Sequence, residues 1–248
     1  IDLFVQKSGA SKEDVVEVTR PNEIPEHWRF QKERVMVSHQ VSALALYDFN
    51  HDGRTDIVYA GNPSHLVFLS QEDDGTFKKT RSHRVRNLGA NRSAFTVANV
   101  TGDEKPELIT IVEGNIQLSE LTDDSIGKPT ILATEDRMVA FELADYDGNG
   151  LQDIAGIVPD SSEPIRLWLA NLNNGAKTMG PQLRFELPPL REFASVQLHA
   201  NEAAKMAVIE RSSRRIVLYE VDIESIEENG DREASIEIYS LLGSGSRE

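Results

Sequence analysis

The chain has 248 residues and carries 26 Lys and Arg against 41 Asp and Glu, a formal net charge of −15, with no cysteine. That balance opposes nucleic-acid phosphates and anionic membrane surfaces, which both call for clustered basic side chains. The missing cysteines exclude disulfides and thiolate metal ligation. With 39% hydrophobic and 27% charged residues the composition is globular, and no apolar run approaches the length of a membrane-crossing helix.

The chain starts at Ile1 without a charged-then-apolar leader and is expected to be a processed product or a piece of something longer. "IDLFV" (Ile1–Val5) reads as a strand much like "HLVFL" (His65–Leu69), and "VVEVTRP" (Val15–Pro21) reads as an outer strand. Pro21 to Arg34 is a candidate for a helical turn. Residues 1–34 are thus expected to form part of a strand unit.

From Val35 the chain repeats. "SALALYDFNHDGRTDIVYA" (Ser42–Ala60) returns as "SAFTVANVTGDEKPELITI" (Ser93–Ile111), "VAFELADYDGNGLQDIAGI" (Val139–Ile157) and, most weakly, "FASVQLHANEAAKMAVIER" (Phe193–Arg211). The loop-leading positions Asp48, Asn99, Asp145 and His199 lie 51, 46 and 54 residues apart. A turn signal follows each: Asp74-Gly75, Ile126-Gly127, Asn174-Gly175 and Asn229-Gly230. In the first repeat the apolar runs predict strands at Ser42–Tyr47, Asp56–Ala60, His65–Ser70 and Thr76–Val85. In the third they predict Met138–Ala144, Asp153–Val158, Pro164–Ala170 and Gln182–Leu187.

Four strands every ~40–55 residues predict an all-β chain, a β-propeller of four-stranded blades. The expected division is a partial blade over 1–34, blades over 35–91, 92–137, 138–192 and 193–242, and a linker or tail over 243–248. About four and a half blades are visible, which makes the chain part of a larger ring or, alternatively, a five-bladed one. The strand edges left unpaired would be completed by the rest of the polypeptide or by another chain.

The loops carry the chemistry. Asp48, Asn50, Asp52 and Asp56 occupy positions 1, 3, 5 and 9 of the first loop, where alternate side chains can turn to one centre. Gly53 at position 6 permits the bend and Arg54 at position 7 offers its carbonyl. The third loop repeats the set with Asp145, Asp147, Asn149, Leu151 and Asp153. Hard oxygen donors in this number select Ca²⁺ over zinc or copper. The loops are not EF-hands, because position 12 is Tyr59 or Gly156 rather than Glu and a strand follows. The second loop keeps Asn99, Thr101, Asp103, Lys105 and Glu107 but has Glu104 in place of the glycine, so it is expected to hold calcium more weakly. The fourth, "HANEAAKMA", retains His199 and Asn201 while Ala203 and Ala207 cannot coordinate, and that unit is expected to rest on packing alone.

At "DFNHDGRTDIV", "DYDGNGLQDIA" and, more loosely, "NVTGDEKPELI", the sequence resembles the FG-GAP/VCBS repeat family of integrin-α-like propellers. The resemblance covers about Val35–Asp222. It implies a propeller with calcium at the loop joining the first two strands of a blade. The family's literal Phe-Gly and Gly-Ala-Pro signatures are not intact, "YAGNP" (Tyr59–Pro63) being the nearest remnant, and their loss favours the bacterial-type VCBS branch over an integrin.

No nucleophile elbow, zinc-protease or phosphate-loop motif is present. The expectation is a non-enzymatic calcium-binding module that mediates adhesion or scaffolding through a protein or glycan ligand, secreted or cell-surface, extracellular or periplasmic. The alternative is the propeller portion of a secreted polysaccharide-degrading enzyme, which would gather Lys, Arg, His or Tyr at one channel mouth. Trp168, in "IRLWLA", is expected in the core; Trp28 is the better candidate to stack on a sugar. "NRS" (Asn91–Ser93) and "NVT" (Asn99–Thr101) fit the glycosylation pattern.

Overall fold

The computed structural model describes residues 1–6, 29–89, 91–101, 105–122, 125–132, 136–173, 176–226 and 232–239. β1 (Asp2–Gln6) and β2 (Phe30–Arg34) form an antiparallel ribbon. The first sheet follows, with β3 (Gln40–Tyr47), β4 (Asp56–Asn62), β5 (His65–Gln71) and β6 (Phe77–Arg84) in chain order. A 3-10 turn at Arg92–Ala94 leads into the second, built from β7 (Phe95–Ala98), β8 (Glu107–Val112), β9 (Asn115–Glu120) and β10 (Thr130–Leu132). The third begins with β11 (Ala140–Ala144), β12 (Asp153–Ile157) and β13 (Ile165–Trp168). It is interrupted by a separate ribbon of β14 (Ala170–Asn173) and β15 (Ala176–Met179) before β16 (Leu183–Phe185) completes it. The fourth holds β17 (Leu190–Val196), β18 (Lys205–Glu210), β19 (Ile216–Ile226) and β20 (Arg232–Ile238). The architecture is all-β, and every pairing is antiparallel.

The second strands explain why the sheets stack. A strand sends successive side chains to opposite faces, and β4 is buried on both: Ile57 and Tyr59 pack toward the ribbon, Val58 and Ala60 toward the second sheet. β8 does the same, with Leu108 facing the first sheet and Ile109 and Ile111 the third. β12 turns Ile154 to the second sheet and Ala155 and Ile157 to the fourth. The core is therefore four layers between sheets. Each large aliphatic side chain so buried contributes about 1.5–3 kcal/mol. The first strands gather on one side of the stack: β3 lies against β7, β11 against β17, and the 3-10 turn touches β3 and β11.

Trp168 is buried between the second and third sheets, as expected. Three expectations change. Of the Pro21–Arg34 candidate for a helical turn, residues 21–28 lie outside the described residues and Phe30–Arg34 is strand β2, paired with β1 and joined to Asp2 by Lys32 and Arg34 at 2.7 and 2.9 Å. The ribbon β14–β15 is an addition that the four-strand pattern did not show. The fourth repeat is in a different register: Val196 pairs with Lys205, so Gln197 and not His199 leads its loop. Val15–Pro21, Trp28, Asp103, Glu104, the Asn174-Gly175 and Asn229-Gly230 turns and the 243–248 tail lie outside the described residues.

Candidate metal centre

The connection from first to second strand has one length in all four sheets. Tyr47 pairs with Asp56, Ala98 with Glu107, Ala144 with Asp153 and Val196 with Lys205, which leaves eight residues between each pair. The ninth position therefore always opens the second strand, where it is drawn into the stack. Asp56 and Asp153 are fully buried there and Glu107 nearly so.

In the third loop the predicted side chains come together. Asp145, Asp147 and Asp153 each place a carboxylate oxygen within 4.8 Å of the others. Backbone N–H groups hold them: Asn149 and Gly150 donate to Asp145 at 3.0 and 2.8 Å, and Tyr146 and Ala170 each donate to Asp153 at 2.7 Å. Gly148 and Gly150 take positive φ of 73° and 82°, a conformation that costs a side chain energy. The Asn149 amide Oδ1 accepts from Leu151 N–H at 2.7 Å, and its Nδ2 reaches the Ala170 carbonyl at 2.9 Å. Burial pushes the Asp153 carboxyl up to about 7; the Ala170 and Tyr146 N–H groups pull it back, and the Asp145 charge adds to the rise. Three acidic groups sharing one small volume fit a hard dication, which neutralises them and favours the ionised form.

The first loop has the same backbone. Asp52 and Gly53 N–H groups bond to Asp48 at 3.1 and 2.8 Å, and Phe49 and Gln71 N–H groups bond to Asp56 at 3.3 and 2.8 Å. His51 and Gly53 occupy the positive-φ positions at 56° and 83°. One difference is chemical. The Arg54 guanidinium reaches Asp52 at 2.6 Å and Asp73 at 2.7 Å and donates to the Gln71 carbonyl at 2.9 Å. Burial raises the Asp52 carboxyl, but the Arg54 N–H, the Asn50 amide and the Arg54 charge outweigh it and hold the group below its ordinary value. Desolvation leads at Asp56 and pushes it up. Arg54 was expected to serve only through its carbonyl. Its side chain is an internal cation that the sequence could have signalled, since it stands among three aspartates where the third loop has Leu151.

In the second loop, Val100 N–H donates to Glu107 at 2.9 Å, the Thr101 hydroxyl bonds to the same carboxylate, and the Lys105 ammonium turns to Glu120 at 2.7 Å. Asn99 leads this loop, after Ala98. The fourth loop carries the correction furthest. Lys205, not Ala207, holds the ninth position. It is buried, paired with Glu220 at 2.8 Å, with Nζ 4.9 Å from the Tyr239 ring centre. A fixed ammonium stands in the sheet position where the other three repeats have a carboxylate.

No helix among the described residues is long and apolar enough to cross a membrane. No curated protein matches the chain. Residues 48–110 match the family model for the FG-GAP-like repeat, from the head of the first loop into β8. Over those residues the chain is similar to the FG-GAP-like repeat.

Proposed function

We propose that the chain is a calcium-binding β-propeller module that holds a protein or glycan ligand outside the cytosol and performs no catalysis. The observation that carries this reading is the convergence of Asp145, Asp147 and Asp153 in a loop whose backbone N–H groups fix them. Asn149 and the Leu151 carbonyl supply further oxygens. In the first loop Asp48, Asn50, Asp52, the Arg54 carbonyl and Asp56 form the second site, weakened by the Arg54 charge. The FG-GAP-like repeat and the gathered first strands support a propeller. Calcium sites of this open, loop-borne type fill at millimolar calcium, which suits an extracellular or periplasmic address. Calcium here is a staple for each first hairpin.

A groove of about 960 Å³ runs between the first strands of the second, third and fourth sheets, with Arg92, Arg191, Glu142 and Glu192 in its lining. Mixed charge over a polar surface suits a glycan or a polar protein loop. An Arg92→Ala, Arg191→Ala double variant is expected to lose at least tenfold in affinity for a ligand found by screening the calcium-loaded chain against glycans and proteins. Unchanged affinity would move the ligand site off this groove, and turnover of a polysaccharide would favour the enzyme reading.

A further inference from the structure

We propose that the layer between the third and fourth sheets holds a subsite for the ammonium group of a lysine side chain presented by a partner protein, with Glu142 and Ser195 as its acceptors and Tyr146 behind them. The proposal rests on the ligand-binding reading above and, at this subsite, chooses a protein over a glycan.

The common register makes the layers between sheets comparable residue by residue. Ala45, Thr96, Glu142 and Ala194 correspond, as do Leu46, Val97, Leu143 and Ser195. Phe49, Val100 and Tyr146 correspond as the second residue of each loop. Between the first and second sheets Ala45 and Phe49 pack with Val97. Between the second and third Val100 packs with Leu143. Between the third and fourth the same places hold a carboxylate, a phenol and a hydroxyl: Glu142, Tyr146 and Ser195. Ser195 Oγ donates to Glu142 at 3.5 Å. Tyr146 is fully buried, and its hydroxyl stands beside Ser195 and Glu142 without a hydrogen bond of proper geometry among the described residues. A buried hydroxyl without a partner is costly, and packing alone would be served by the alanine, phenylalanine and valine of the first layer.

This polar row opens to space. Ser195 lines a cavity of about 370 Å³ and Glu142 lines the groove of about 960 Å³; the two share Leu143 and Gln152. The smaller cavity has Leu151, Ala204, Gln197 and Asp145 in its wall and no basic side chain. Its apolar members suit the methylene stem of a lysine. An ammonium has three N–H bonds to place, and the two Glu142 oxygens and the Ser195 oxygen can take them. Ser195 then turns its own hydrogen from Glu142 to the Tyr146 oxygen, which gives the phenol its missing partner. Burial pushes the Glu142 carboxyl up, against the Ser195 bond and the Arg92 charge, and a cation in contact would hold it ionised. The flat five-donor fork of a guanidinium matches this set less well. A sugar ring would find no aromatic face, because the aromatic side chains in these walls, Phe95, Phe141 and Phe193, are 3%, 4% and 5% exposed. The fourth sheet already contains the same pairing, with the Lys205 ammonium 2.8 Å from Glu220 and 4.9 Å from the Tyr239 ring centre. The net charge of −15 draws a basic partner toward the chain.

The test uses Nα-acetyl-lysine methylamide as the probe, titrated into the 248-residue chain in millimolar calcium and read by saturation transfer to its methylene protons. The norleucine analogue keeps the stem and lacks the amine; it and the arginine analogue should each bind at least tenfold more weakly. This comparison needs no variant. Glu142→Gln should weaken the lysine probe at least tenfold, Ser195→Ala and Tyr146→Phe at least threefold, and Glu237→Gln, on β20, not at all. The proposal is overturned if the lysine probe does not bind, if the norleucine or arginine analogue matches it, or if Glu142→Gln leaves its affinity unchanged. Glucosamine binding as tightly as the lysine probe would assign the subsite to a glycan and overturn it as well. The Arg92→Ala, Arg191→Ala variant with a screened ligand reads the groove separately, so failure here leaves the ligand-binding reading to its own test.

Discussion

At the residue scale the decisive groups are the carboxylates that open the second strands. Asp153 sits in the sheet stack with two N–H donors and two acidic neighbours, and its carboxyl is raised to about 7 by burial first. A folded-state value above the ordinary 3.8 means that the folded chain holds a proton that the unfolded chain has released. The stability this contributes is complete below the ordinary value and is lost as pH rises through about 7. Without calcium, the melting temperature should therefore fall from about pH 4 to about pH 7 and level off above, and Asp153→Asn should flatten that slope. Saturating calcium should flatten it too, because the ion takes the place of the proton. An equal slope in the wild-type chain and Asp153→Asn would place the titration elsewhere.

At the element scale the four loops are one backbone device carrying different charges. The first keeps the ligand set but sets Arg54 against it, and the third replaces that arginine with Leu151. Arg54→Leu should raise the calcium affinity of the first loop about tenfold, the equivalent of ~1.4 kcal/mol of removed repulsion; calorimetry resolving two classes of site would show the weaker one tighten. The fourth loop places Lys205 at the ninth position, bonded to Glu220. Lys205→Met should cost about 1–2 kcal/mol through the lost ion pair and ring contact, by the same amount in calcium and in chelator, as read by denaturant unfolding. A loss that appears only in calcium would mean that the fourth loop binds the ion after all. This register was hidden in the sequence for a physical reason. A slip of two residues keeps every side chain on its own face, so the apolar pattern of "KMAVIE" fits both alignments, and without a carboxylate nothing fixes the loop.

At the scale of the whole molecule, the strand units were legible because β4, β8 and β12 are buried on both faces and read as continuous apolar runs between acidic turns. The third loop was legible for the same reason: Asp145, Asp147 and Asp153 fall at the alternate positions that the turn folds inward. What was not legible depends on contacts distant in sequence. β2 pairs along its length with β1 from the far end of a long connection, with Asp2 bonded to Lys32 and Arg34. The Arg54 charge beside Asp52 was legible, but its bond to Asp73, nineteen residues on, was not. Glu142, Tyr146 and Ser195 look like unrelated polar residues until the register sets them in the places that Ala45, Phe49 and Val97 fill one layer earlier.

If calcium staples these loops, as proposed above, thermal unfolding in calcium against chelator, with calorimetric counting of bound ions, reads the staple itself. A ligand that binds only the folded chain adds RT ln(1 + [L]/Kd), about 2.7 kcal/mol at a hundredfold excess over Kd. A clear rise in Tm with two bound ions, cut to one ion and a smaller rise by Asp147→Ala in the third loop, is the predicted result. No bound ion and no shift in Tm would mean that the crowded aspartates of these loops hold no calcium.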